Sequence, residues 1–150
     1  MGYNGGLIAR GTRVGKFVVE EELGAGGMAV VYAARDPELG RRVALKVLRP
    51  TSADDEAHRM RLLREGQAMA MLNHPNVITV HEVGIEGGRV FLAQELVDGG
   101  TLGTWLKAPH AQAEILAKLV AAGHGLAAAH AAGLVHRDFK PDNEIGRAHV

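Results

Sequence analysis

Apolar and polar positions fall in short strand-length runs through the first half of the chain and then change period. Residues 17–23, 30–35 and 42–48 are rich in β-branched and aromatic side chains, and Asp36, Pro37, Glu38, Leu39 and Gly40 read as the turn between the last two. Over 52–72 the spacing becomes helical. Ser52 is placed to cap that helix, Asp54, Asp55 and Glu56 suit its positive end, and Met60, Leu63, Met71 and Leu72 fall on its apolar side. His74, Pro75 and Asn76 stop it, because the residue before a proline is driven out of the helical region; His74 is read as part of that stop rather than as a metal ligand or acid. Strands are expected again at 77–83 and 90–95, around a turn at Glu86, Gly87 and Gly88. An alanine-rich helix is expected over 111–132, with Ile115, Leu116, Leu119, Val120 and Leu126 as candidate core. Residues 1–16, rich in glycine, are expected to be a flexible leader. The pattern is α+β: a small sheet with one long helix, followed by helices.

The run Leu23, Gly24, Ala25, Gly26, Gly27, Met28, Ala29, Val30, Val31, Tyr32 carries the first candidate chemistry. A glycine-rich turn lets backbone amides approach phosphate oxygens, because no β-carbon intervenes. Such turns also open dinucleotide-binding helices, but Val30, Val31 and Tyr32 favour a strand. A Walker loop is excluded because no Gly-Lys-Ser/Thr follows. What remains is a hairpin lid between two strands.

The octet His136, Arg137, Asp138, Phe139, Lys140, Pro141, Asp142, Asn143 carries the second. Asp138 has the character of a weak anionic base beside an attacking hydroxyl, Lys140 of a compact positive charge for a phosphate, and Asn143 of a neutral oxygen ligand for a hard magnesium ion.

At every fixed position the octet resembles the catalytic loop His-Arg-Asp-x-Lys-Pro-x-Asn of protein kinases, in the form found in the serine/threonine type. The glycine run resembles the family's nucleotide loop, with Ala29 in place of a third glycine. Val43, Ala44, Leu45, Lys46 is similar to the Val-Ala-x-Lys strand, and Glu65 follows at the family's spacing. The Gly-Gly-Met loop is similar to that of bacterial relatives of the eukaryotic kinases. The resemblance spans 17–143. It implies a small antiparallel sheet lobe with one helix (17–95), a hinge (96–100), the short helix after it at 101–106, and a truncated helical lobe (101–143). Asp138, Lys140, Lys46 and Glu65 are then the catalytic set, with Lys46 on the phosphates and Glu65 holding Lys46. Leu23, Gly24, Ala25, Gly26, Gly27, Met28, Ala29, Val31, Ala44, Lys46, Gln94, Glu95 and Val97 would bind ATP, Gln94 as gatekeeper and Glu95 and Val97 through their main chain. Asn143 would be a magnesium ligand, and Arg137 implies control by a phosphorylated activation loop. Trp105 is expected to pack rather than stack on a ligand.

The resemblance stops at Asn143. Glu144, Ile145, Gly146, Arg147, Ala148, His149 and Val150 stand where the family has an apolar strand and then Asp-Phe-Gly, and they are what a common sequencing adapter encodes. Residues 144–150 are therefore expected to be a non-native tail and the chain an incomplete, inactive fragment of a kinase; the alternative is a nucleotide-binding or interaction module without turnover. Composition adds limits. Basic and acidic residues balance at 17 each, so nothing points to nucleic acid. Without cysteine there is no disulfide or thiolate chemistry, which fits a cytoplasmic location. No signal segment or apolar membrane-length run is read, and His124 and His130 are not spaced for a metal on one helical face. The expected partners are ATP and protein substrates bearing Ser or Thr.

Overall fold

The computed structural model describes residues 3–4, 7–49 and 56–135, which divide into two compact units. The first unit takes the described residues up to 71 and those from 79 to 96, the second 72–78 and 97–135. In the first unit, β1 (Tyr3–Asn4) and β2 (Leu7–Ile8) pair as a short hairpin. The main sheet is antiparallel, built from β3 (Arg13–Val14), β4 (Phe17–Ala25), β5 (Ala29–Asp36), β6 (Arg41–Leu48), β7 (Val80–Glu86) and β8 (Arg89–Glu95), in the order β3-β4-β5-β6-β8-β7. Between β6 and β7 the chain forms α1 (Glu56–Met71).

Strand alternation divides the apolar side chains between two faces. Phe17, Val19, Val30, Tyr32, Ala34, Val43, Leu45, Val47, Phe91 and Ala93 form one core, which Ile8 and Val14 complete. The opposite face carries Val80, Val90 and Leu92, packed with Leu48, Leu62 and Val83, and it is here that α1 lies. Phe91 is hemmed in by two glycines. A β-carbon at Gly84 would stand 2.6 Å from its ring and one at Gly15 2.9 Å, while Phe17 meets the ring edge-on at 6.3 Å between centroids.

The leader therefore departs from expectation over 7–16. Ile8 and Val14 are buried, and the Ile8 amide donates to the buried Tyr32 hydroxyl at 2.9 Å; two isolated apolar residues on two-residue strands are too short a pattern for periodicity to register. Strand β7 begins at Val80 rather than Val77, because 75–77 turn instead, the Val77 amide donating to His74 O at 3.1 Å. The turn between β7 and β8 is a two-residue one in which Gly87 and Gly88 both adopt positive φ, 55° and 74°. On α1 the stripe toward the sheet runs through Leu62 and Gly66, and Met71, expected on the apolar side, is exposed. The expected cap at Ser52 and the acids Asp54 and Asp55 lie outside the described residues.

The hairpin between β5 and β6 is locked by Asp36. Its fully buried carboxylate accepts the Glu38 and Leu39 amides at 3.1 and 3.2 Å and lies 3.7 Å from Lys16 Nζ and 3.6 Å from Arg41 Nε. Burial pushes its pKa up, but the two amides and two cations outweigh burial and hold it below 3.8.

In the second unit, Thr101 caps α2 (Leu102–Trp105) by accepting the Thr104 amide at 3.1 Å. The His110 ring stacks on Trp105 at 3.5 Å and Lys118 Nζ lies 4.9 Å from the same indole, so Trp105 packs within its own unit. Helix α3 (Gln112–Ala131) starts with the Glu114 carboxylate accepting the Ala111 amide. It ends in a Schellman motif: Gly133, at φ 78°, donates to His130 O, and Leu134 donates to Ala129 O. Gly125 presses on the backbone of Asn76, where a β-carbon would come within 2.4 Å of the carbonyl oxygen. Of the expected core of α3, Leu116, Leu119 and Val120 are exposed. In an alanine-rich helix the spacing does not say which leucines a neighbour covers.

Two outcomes test this account by chemical denaturation. Gly84→Ala should destabilise the protein by about 1–3 kcal/mol, the usual cost of overpacking a filled core. For Asp36, a depressed folded pKa means that its contribution is present above pH 3.8 and lost as pH falls through the folded value. The stability gap between wild type and Asp36→Asn should accordingly be widest near neutral pH and close as the solution is acidified below 3.8.

Candidate functional site

Strand β6 places Lys46. Its register partners are Val31 on β5 and Leu92 on β8, and two residues back Ala44 pairs with Ala33 and Gln94. Cross-strand partners share a face, so Val31, Ala44, Lys46, Leu92 and Gln94 lie together on the face opposite the Phe17–Phe91 core. Lys46 is exposed there, while Ala44 is buried and Val31 half-buried. The arrangement is a small apolar floor with a cation at one side.

The glycine run forms the tip of the β4–β5 hairpin, as expected. Two bulges break the β4 register, between Val19 and Glu21 and between Glu22 and Gly24, after which Gly24 pairs with Val31 and Ala25 with Val30. Bulges re-aim a strand, and the tip beyond them is exposed, Leu23 to 49% and Met28 to 76%. The Gly26 amide donates to Ala29 O at 2.9 Å, and Met28 O accepts the Arg49 amide at 2.8 Å. Among the described residues, the Gly27 and Met28 amides donate to no backbone carbonyl. A β-carbon at Gly24 or Gly27 would meet nothing within 4 Å, and one at Gly26 only Ala29 O at 3.8 Å; none of the three needs a positive φ. These glycines answer no demand of the fold. They leave bare backbone at the tip, which is what close approach of a phosphate chain requires.

Helix α1 crosses the same face. Gly66 lies against Val83 and Leu92, and Leu62, one turn earlier, joins the cluster around Val80 and Leu92. Glu65, half-buried, stands next to Gly66 on a helix seated over the strand adjoining Lys46. Among the described residues Lys46 makes no ion pair. Glu95 ends β8, with its amide donating to Thr79 O at 2.8 Å. Val97 belongs to the second unit, where Gly100 turns at φ 70° before the capped α2. Asp138, Lys140 and Asn143, like Arg137, lie outside the described residues. Sequence reasoning missed Gly66; a lone glycine inside a helical pattern, directly after a candidate acid, was the available signal. Among the described residues no cluster of His, Cys, Asp or Glu could hold a metal, and no helix is long and apolar enough to cross a membrane.

Comparison with known proteins shows the family. The protein kinase domain model matches residues 17–146. Serine/threonine-protein kinase PknL of Mycobacterium tuberculosis is 41% identical over 133 residues, covering 85% of this chain and 33% of the relative. PknJ of Mycobacterium bovis is 39% identical over 137 residues, covering 91% and 23%. The crystal structure of a Mycobacterium tuberculosis PknI kinase domain double mutant superposes with a TM-score of 0.84 at 33% identity, covering 95% of this chain and 58% of that one. The chain thus spans a third or less of these curated relatives and somewhat over half of the kinase domain in the solved structure. On this family match the chain belongs to the protein kinase domain family, among the bacterial serine/threonine kinases.

Proposed function

We propose that the protein encoded with this chain transfers the γ-phosphoryl group of ATP to Ser or Thr hydroxyls of protein substrates, with magnesium as cofactor. The observation that carries this reading is the common face of the first unit. Val31, Ala44 and Lys46 stand on one face of one sheet, Gly24 at the base of the glycine tip pairs with Val31, and the helix bearing Glu65 crosses that same face. Each part meets a need of the substrate. The Gly27 and Met28 amides, which donate to no backbone carbonyl among the described residues, would serve phosphate oxygens, and Leu23, Val31 and Ala44 offer an apolar surface for a flat base, with Gln94 at its edge. Lys46 supplies positive charge for the α- and β-phosphates, and Glu65 orients that lysine. The Glu95 carbonyl and the Val97 main chain supply polar contacts to the base.

For the transfer itself, the substrate oxygen forms a bond to the γ-phosphorus as the bond to the bridging oxygen of ADP breaks. Asp138 orients the hydroxyl and takes its proton late, and Lys140 offsets charge on the phosphoryl oxygens. Asn143 has the donor chemistry to hold magnesium, which would offset phosphate charge there.

Two measurements on the protein as its gene encodes it test the reading. Lys46→Met and Asp138→Asn should each abolish phosphorylation of a Ser/Thr protein substrate; binding of ATP without turnover in the wild type would instead support a nucleotide-binding module. Gly27→Val should leave stability within about 0.5 kcal/mol, as for surface positions away from special contacts. It should raise the Kd for ATP at least about tenfold, the scale of losing one charge-assisted hydrogen bond. Unchanged ATP affinity in Gly27→Val would remove the phosphate role from the tip.

A further inference from the structure

Gly66 is the buried residue of α1, and its neighbours explain why it has no side chain. A β-carbon there would stand 2.8 Å from Val83 Cγ1, 3.3 Å from Val83 Cγ2 and 3.5 Å from Leu92 Cδ2. Leu62, one turn back, packs into the same cluster, so the stripe of α1 through 62 and 66 is the line along which the helix rests on β7 and β8. Leu92 is also the register partner of Lys46. The line on which α1 rests thus runs beside the strand position that carries the cation, and Glu65 adjoins that line.

We infer that Gly66 is a positioning residue: its missing side chain sets how deeply α1 seats on the sheet, and through that depth the reach of the Glu65 carboxylate to the Lys46 ammonium. This rests on the kinase reading above for its effect on turnover, but not for the geometry. An alanine methyl at position 66 would need more than half an ångström of relief to reach ordinary contact at 3.4 Å. Val83 is a poor source of that relief, since a β-branched side chain in a strand is stiff about χ1 and Val83 is held in the ladder opposite Leu92. The helix is the element able to move, and it would carry Glu65 outward with it. A misplacement of this size is enough to cost rate at a phosphoryl-transfer site, where catalysis is mostly positioning. Truncating Val83 to alanine removes both methyl groups that the new β-carbon would strike.

The test compares wild type, Gly66→Ala and the double variant Gly66→Ala/Val83→Ala in the protein as its gene encodes it. Zero-length carbodiimide coupling of Lys46 to Glu65, read as the 46–65 crosslinked peptide by mass spectrometry, reports the pair without requiring activity. Phosphotransfer kinetics report its use. The crosslink should form in wild type, fall several-fold in Gly66→Ala and return in the double variant. In parallel, kcat should drop about tenfold in Gly66→Ala, with a smaller change in KM for ATP, and recover in the double variant. No 46–65 crosslink in wild type, an undiminished crosslink in Gly66→Ala even if stability falls, or a loss that Val83→Ala does not restore would each overturn the inference. A crosslink that follows the expected pattern in a protein without phosphotransfer would instead sink the kinase reading and leave the positioning role standing.

Discussion

Everything in the first unit depends on the side-chain alternation of β6. Val43, Leu45 and Val47 enter one core, while Ala44, Lys46 and Leu48 point to the other face. A slip of one residue in either flanking ladder would drive Lys46 in among Tyr32 and Phe91 and turn Val43, Leu45 and Val47 out of that core. Burying an ammonium without a partner costs far more than any one apolar contact returns. The register is therefore specified by the same energetics that build the core. The Asp36 turn adds a local lock at one end, and the β5–β6 ladder runs without a shift from Ala29 and Leu48 to Asp36 and Arg41.

The contrast with β4 is informative. On the other side of β5 the ladder breaks twice within a few residues, and the breaks come as the strand leaves the core and approaches the glycine tip. A regular ladder fixes the lysine, and an irregular one releases the backbone above it. Rigidity and openness are thus divided between the two edges of a single strand, β5. A phosphate-binding hairpin needs both, because the charge must be held in place while the amides remain accessible.

Twenty glycines in 150 residues look alike in the sequence, and the structure separates them by the demand each answers. Gly40, Gly87, Gly88 and Gly133 supply positive φ at turns and a helix end, which flanking polar residues and the end of a periodic run made legible. Gly24, Gly26 and Gly27 were legible through the strand that follows them. Gly66, Gly84 and Gly125 were not, because each exists to admit a partner distant in sequence: Val83, Phe91 and Asn76 respectively. The same limit explains the misplaced start of β7, where Val77 and Ile78 have strand composition but a His74 carbonyl claims the Val77 amide. It also explains Leu116, Leu119 and Val120, whose spacing is that of a buried stripe whether or not anything covers it. Local chemistry was readable from order and spacing, whereas close approach was not, since it is a property of pairs.

That distinction bears on how the candidate site is built. Lys46 and the glycine tip are set by the sheet alone, through register and bulges within one antiparallel ladder. Glu65 is carried by α1 instead. Its place follows from how α1 seats on β7 and β8, a contact made by Leu62, Val83, Leu92 and a vacant β-carbon at Gly66. Helix-on-sheet packing of this kind is held by dispersion and apolar burial, which are non-directional and tolerate small sliding at little cost. On the proposed reading, a lysine fixed by hydrogen-bonded strands and a glutamate carried by such a contact would make a pair whose separation can change without unfolding either element. In the described residues Lys46 stands without an ion pair on the face that α1 crosses, so on the proposed reading the closing of that pair would follow the seating of one helix rather than the sheet.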